Sequence, residues 1–241
     1  MAQVEYQARF LTSAYIERGR NSELVLGVYA AGALVAPSSG AITVYDATDT
    51  AVVSAAAVTI TGSQATYVVT AATTSALSLA AGWRVEWSLL MPDAYTHVYR
   101  QDAALCRIRL APVVTDADLL ARHTDLTSLR PSSLASYEGY IAEAWRDLVG
   151  RLEGMGRRPY LIISPEALRP IHLATTLAII FRDFAGTGDP ANKWAALAQQ
   201  YADAAESAWS RLTLVYDETD SGRADATRRR GPTTMWLAGR A

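Results

Sequence analysis

The chain has 241 residues, about half of them hydrophobic, and its formal net charge is −2. A chain this apolar and this weakly charged can bury a core, which excludes wholesale disorder and a strongly basic nucleic-acid binder. Its single cysteine, Cys106, excludes an intrachain disulfide. We expect no signal peptide and no membrane span, because no apolar run approaches the roughly 20 residues that a bilayer requires.

Residues 1–112 show the alternating hydrophobicity of β-strands. Short alternating runs, such as Leu24–Val28 and Trp83–Leu89, are separated by clusters of proline, glycine, aspartate and serine that favour turns. About eight such strands with regularly spaced turns predict an Ig-like β-sandwich. Within one of these strands, Trp83 and Trp87 share a face, where they form either part of the core or an aromatic platform for a sugar.

The C-terminal half has the hydrophobic period of a helix. Thr115 and Asp118 have the spacing of a capping box, and apolar residues at every third or fourth position predict a long helix between Pro131 and Gly154. Ser164-Pro165 and Asp189-Pro190 are start signals for two further helices. Three long helices with short connections predict an antiparallel bundle.

The predicted fold is α+β in two parts, followed by an extended tail. Residues 1–112 are the expected β-sandwich and residues 113–217 the expected antiparallel α-helical bundle. Residues 218–241 lack periodicity and hold five arginines against three acidic residues. A free chain of that composition buries too little surface to order itself, so an extended basic C-terminal tail is expected there.

The motifs favour neither catalysis nor metal binding. His97, His123 and His172 fall in separate elements without a metal-binding spacing, so we predict structural roles for them. Cys106 alternates with arginines in a strand and is expected in the core, because no base that would activate it is evident. The acidic run Asp217–Gly222 lacks the final glutamate of an EF-hand calcium loop. We therefore predict no enzyme activity, no cofactor and no metal.

Two groups of residues are candidates for contacts with other molecules. Small residues flank the apolar stripe of the last helix, which favours lateral contacts between subunits. The predicted subunit-contact residues are Ala195, Ala202, Ala205 and Trp209. In the tail, an isolated tryptophan beside clustered arginines is typical of an anchor for a partner. The predicted anchor residues are Arg223, Arg228, Arg229, Arg230, Trp236 and Leu237.

Several strings, mainly between residues 112 and 241, resemble the head-to-tail connector, or adaptor, proteins of tailed bacteriophages. They are Leu110–Leu119, Ala144-Trp145, Gly156–Pro159, Phe181–Phe184 and Tyr216-Asp217. The resemblance implies a helical bundle that repeats around a dodecameric ring beneath the portal. It also implies a C-terminal extension that reaches into the portal and a lumen that passes DNA. The N-terminal β-domain departs from the minimal adaptor and is interpreted as a decorating or tail-contacting domain.

The resemblance thus implies a structural virion protein of the neck, made in the host cytoplasm. Its expected partners are the portal protein, a tail or nozzle protein, further copies of itself, and DNA that passes without sequence-specific binding, with no membrane involved. We expect Ala205→Arg to block ring formation in a folded monomer. Trp236→Ala or truncation at Gly222 is expected to abolish portal attachment even at high salt. If the tail instead contacts DNA through Arg228–Arg230, only genome retention fails.

The alternative is a β-sandwich module that binds carbohydrate or a host surface and is carried on a helical assembly domain. Trp83 and Trp87 discriminate between the two interpretations, because burial of both rings would exclude the sugar platform.

Overall fold

The computed structural model describes residues 5–8, 10, 13–132, 134–186, 193–223 and 225. In this part of the chain, strands precede the long helices, as the two hydrophobic periods predict. The strands are β1 (Gln7–Ala8), β2 (Ala14–Glu17), β3 (Ser22–Ala30), β4 (Ala33–Val35), β5 (Ser39–Tyr45), β6 (Ala51–Ala57), β7 (Thr59–Thr61), β8 (Gln64–Val69), β9 (Ala80–Leu90) and β10 (Thr96–Cys106). The α-helices are α1 (Ala71–Thr74), α2 (Asp116–Arg122), α3 (Leu126–Leu129), α4 (Glu138–Gly154), α5 (Arg169–Ala185) and α6 (Lys193–Arg211), and short 3-10 helices cover Pro159–Leu161 and Pro165–Leu168.

The strands form two sheets that share one apolar core. The first sheet has the order β1-β3-β8-β7, with β4 also paired to β3, and the second has the order β2-β10-β9-β5-β6. Alternate residues of β9 point into the core, and Trp83 and Trp87 are only 2% and 0% exposed. Burying side chains of this size stabilises the fold by roughly 2 to 3 kcal/mol each. The aromatic platform for a sugar is therefore excluded.

The predicted combination of an Ig-like β-sandwich, an antiparallel α-helical bundle and an extended tail is wrong. The structure is mixed, with two sheets, one of them curled, and one helix-rich region. Ig-like sheets are antiparallel, whereas β2 pairs in parallel with β10, which places Ala14 opposite Ala103. Tyr15 and Leu110 from the strand side also pack in one cluster with Trp145 and Leu214 from the helical side. Alternating hydrophobicity indicates that a strand has one buried face. It does not indicate which strand is its neighbour or whether the two run parallel or antiparallel.

The helices begin where local chemistry favours them. The capping box is confirmed: the Asp118 carboxylate accepts hydrogen bonds from the Thr115 backbone N–H at 2.8 Å and from its hydroxyl at 2.9 Å. Helix α4 begins at Glu138, later than the sequence predicts, and buries Ile141 and Trp145 against its neighbours. Across the described residues, we find no helix with the length and hydrophobicity needed to cross a membrane.

Candidate assembly surface

An open cleft lies between α4, α5 and α6, and we call it the helical cleft. Its volume is about 610 Å³, and short side chains such as Ala178, Ala195 and Ala198 line much of it. Elsewhere along these helices, Phe181 of α5 stacks on Trp194 and on Tyr201 of α6, with 5.7 Å between ring centroids in both pairs. The part of α6 that faces the cleft carries several alanines together with Trp209.

All four predicted subunit-contact residues line the helical cleft: Ala195, Ala202, Ala205 and Trp209. They are not equivalent. Ala195 and Ala202 are partly exposed, whereas Ala205 is 7% exposed and belongs to an internal cluster with Tyr201 and Phe181. An arginine at position 205 would have to enter this core. The expectation that Ala205→Arg leaves a folded monomer is therefore corrected, and the accessible position for such a test is Ala202.

Trp209 is held at the edge of the helical cleft by contacts within its own chain. The Arg151 guanidinium lies 4.5 Å from the centre of the Trp209 ring. The same guanidinium donates hydrogen bonds of 2.5 and 2.8 Å to the two carboxylate oxygens of Glu206. These bonds favour the charged carboxylate and hold the pKa of Glu206 below its usual value. The lining also includes charges of both signs, on Asp147, Arg182 and Asp203.

After α6, the chain folds back instead of extending away from the body. The backbone N–H of Asp217 donates to the Leu161 carbonyl at 3.1 Å, and Tyr216 forms an antiparallel β-bridge with Ile162. Leu214 is 9% exposed and packs in the cluster that joins the helical and strand sides. We call the described residues 212–223 and 225 the C-terminal strap.

The strap contains a buried carboxylate. The Asp217 side chain is 1% exposed, and its Arg107 neighbour is 31% exposed. The two oxygens of Asp217 accept the backbone N–H groups of Ser221 and Gly222, each at 2.7 Å. Arg107 Nε lies 3.0 Å from the carboxylate, but this nitrogen has no aligned hydrogen-bond acceptor among the described residues. We therefore treat the contact as an ion pair.

A second carboxylate of the strap lies between two arginines. Asp220 accepts a hydrogen bond of 2.7 Å from Arg18 Nη2 and a shorter one from Arg18 Nη1, and it also accepts one from Arg107. Hydrogen bonding from Arg18 lowers the pKa of Asp220 most strongly. Glu218 pairs with Arg158, whose guanidinium lies 5.5 Å from the centre of the Tyr216 ring.

We call this set of ion-paired residues the clasp. Its members are Asp217, Glu218 and Asp220 of the strap and Arg18, Arg107 and Arg158 of the body. Arg18 follows β2 and Arg107 follows β10, so the clasp joins the strap to the ends of two neighbouring strands.

The predicted anchor residues are only partly described. Arg223 is exposed in the strap, beyond the clasp. The others, Arg228, Arg229, Arg230, Trp236 and Leu237, lie outside the described residues.

The titratable groups singled out in the sequence have partners inside the chain. Each histidine nitrogen Nε2 has a polar neighbour: Asp93 at 3.0 Å for His97, the Tyr201 hydroxyl at 2.5 Å for His123, and the Ile141 carbonyl at 2.9 Å for His172. The Cys106 thiol is buried, donates to the Ile16 carbonyl at 3.2 Å, and has its pKa raised to about 12, chiefly by burial. Within the described ranges, no group of three or more His, Cys, Asp or Glu side chains is placed to hold a metal ion.

Sequence reasoning missed the clasp. Arg18, Arg107 and Asp220 belong to segments far apart in the chain, and neither hydrophobic period connects them. The one available signal was the acidic run Asp217–Gly222, for which a calcium loop was considered and rejected without a search for arginine partners. Its carboxylates instead bind arginine side chains and backbone N–H groups. Comparison with known proteins finds no family model, no curated protein and no solved structure that matches this chain.

Proposed function

We propose that this protein is a structural virion protein that forms a ring between the portal and the tail of a bacteriophage and lets DNA pass through its lumen. The observation that carries the proposal is the helical cleft, a lateral surface that the described residues leave open. Its partly exposed alanines allow the backbone of another helix to approach closely, and its charges of both signs suit a second copy of a chain with almost no net charge. The proposed occupant is the neighbouring subunit.

The C-terminal residues support the second half of the proposal. Residues 226–241 contain four arginines and no acidic residue, and they include Trp236 and Leu237. Arginines suit acidic grooves on a portal, and a buried tryptophan commonly contributes about 2 kcal/mol or more to an interface. The tail or nozzle protein is then bound elsewhere on the ring, and DNA passes without sequence-specific contacts.

Ring formation is tested with Ala202→Arg and a matched control, Ala204→Arg. Both positions lie on α6, but Ala202 lines the helical cleft whereas Ala204 is exposed and lies outside it. Electron microscopy and light scattering on the full chain, alone and with portal rings of the phage that encodes it, should show closed rings for the wild type and the control. Ala202→Arg should remain a folded monomer. Equal assembly of both variants, or no ring from the wild type in either sample, would contradict the proposal.

Portal attachment is tested with a truncation after Asp225. The earlier choice of Gly222 is unsuitable, because the Asp225 carboxylate accepts hydrogen bonds from Thr219 and would be lost. Truncation after Asp225 and Trp236→Ala should each abolish binding to DNA-free portals, and both effects should persist at high salt. Normal binding of the truncated chain to empty portals would show that the anchor lies elsewhere. Intact attachment with failed genome retention would assign the arginines to DNA.

A further inference from the structure

The strap is attached to the body in three independent ways. Its backbone forms hydrogen bonds with residues 161–163, including the one from the Asp217 N–H to the Leu161 carbonyl. Leu212, Leu214 and Tyr216 pack in the cluster that also holds Trp145. The clasp then adds ion pairs to two strand ends.

The strap also holds its own shape. The Asp225 N–H donates to the Tyr216 carbonyl at 2.9 Å, and the Asp225 carboxylate accepts the Thr219 N–H at 3.0 Å and its hydroxyl at 2.7 Å. Gly222 adopts a φ of +77°, a left-handed conformation that glycine tolerates best. A Cβ at this glycine would lie 3.3 Å from the Arg107 guanidinium. The turn therefore presents a preformed set of carboxylates to the arginines, which lowers the entropic cost of docking.

By contrast, the strap is accessible at Thr213, close to the end of α6. Helix α6 ends at Arg211, Thr213 is exposed, and burial resumes at Leu214. Apart from the packing of Leu212, the contacts that hold the strap lie beyond Thr213.

We propose that the strap is a separately docked element, held on the strand ends by the clasp, which fixes the place from which the C-terminal residues reach a partner. A force that a bound partner exerts on the C-terminal residues is then transmitted to β2 and β10 rather than to α6. The role of the C-terminal residues as a partner anchor rests on the proposed function, but the docking of the strap does not.

The experiment cuts the covalent link and asks whether the strap stays bound. A recognition site for a sequence-specific protease is inserted after Thr213 in the full chain, which is cleaved in the native state and passed over a size-exclusion column. We expect the C-terminal fragment to elute with the body at low and moderate salt. Release of the fragment from the cleaved wild type at low salt overturns the proposal.

Variants test whether the clasp is what retains the cleaved C-terminal fragment on the body. Arg18→Ala with Arg107→Ala should release the fragment, whereas Arg151→Ala, which removes an arginine–carboxylate pair outside the strap, should retain it. Equal retention by both variants would show that apolar contacts alone hold the strap and would overturn the role of the clasp. If the double variant fails to fold by circular dichroism, Asp220→Asn replaces it and should speed fragment dissociation at least tenfold; an unchanged rate would again overturn the clasp. The fragment-retention measurement needs no portal. A negative result would therefore contradict the docking of the strap without bearing on ring formation.

Discussion

Arg107 and Asp217 form an ion pair across the junction of β10 and the strap, with 3.0 Å between Nε and a carboxylate oxygen. Arg107 leaves the end of the last strand, and Asp217 is the first acidic residue after the last helix. The pair therefore ties the end of the strand region to the end of the helical region.

The buried carboxylate should contribute more to stability than an exposed one. Asp217→Asn removes the buried one of the two carboxylates that pair with Arg107, so we expect the free energy of unfolding to fall by about 2 kcal/mol. This is less than for a fully buried pair, because Arg107 keeps Asp220 and is partly solvated. Glu206→Gln, at the exposed pair with Arg151, should lower the free energy of unfolding far less, because water screens that pair. Urea denaturation of both variants measures the difference. Equal losses would show that the burial of Asp217 has no energetic consequence.

Acid should destabilise the fold through His172. Burial lowers the pKa of this histidine from its ordinary value of 6.5, so the unfolded chain binds more protons than the folded one as the pH falls below 6.5. The contribution of His172 to stability is fully present above that pH and is lost progressively as the pH falls below it. Urea titrations above and below this pH measure the loss.

His172→Gln should reduce this pH dependence. A remainder is expected from His123, whose pKa is also lowered by burial. An unchanged pH dependence in the variant would show that His172 is not responsible.

A methyl group should have opposite effects at two glycines. At Gly40 of β5, a Cβ would lie 2.4 Å from Leu89 Cδ2 and 2.9 Å from the Ser88 carbonyl oxygen, so Gly40→Ala should destabilise by about 1 to 3 kcal/mol. Gly150 of α4 has no atom within 4 Å of a new Cβ among the described residues, so Gly150→Ala should stabilise by about 1 kcal/mol. Thermal melts compare the two variants, and a stabilised Gly40→Ala protein would contradict the β5–β9 contact.

The thiol of Cys106 should be unreactive in the folded protein. Its pKa is raised from 9.0 to about 12, which reduces the thiolate population about a thousandfold at neutral pH. Ellman's reagent should label it only after denaturation, at a rate that follows unfolding. Rapid labelling under native conditions would show that this end of β10 opens readily.

The sequence allowed local elements to be predicted better than their partners. The Thr115–Asp118 cap and the buried face of α4 depend on residues a few positions apart, and both are present. Ala205 was expected to flank the apolar stripe of α6, but it is buried in the core. Alanine is compatible with either face of a helix, so hydrophobic periodicity locates an alanine-rich stripe poorly.

For the candidate surfaces too, local features were easier to predict than contacts between distant segments. The cluster of alanines near Ala202 was visible in the sequence and lines the helical cleft. The parallel pairing of β2 with β10 and the Arg18–Asp220 contact join distant segments, and a single sequence carries no pattern that reports them.

The Arg18–Asp220 ion pair has a consequence for the order in which the molecule is made. Its two residues are 202 positions apart, so it can form only after all the strands and helices between them have emerged from the ribosome. Domains generally fold as they are synthesised, N-terminal parts first, and contacts of high sequence separation form slowly. The edge strand β2 therefore gains its ion pair with the strap only after the helices have been synthesised. A chain that terminates before Asp220 lacks both this ion pair and the arginines that follow it.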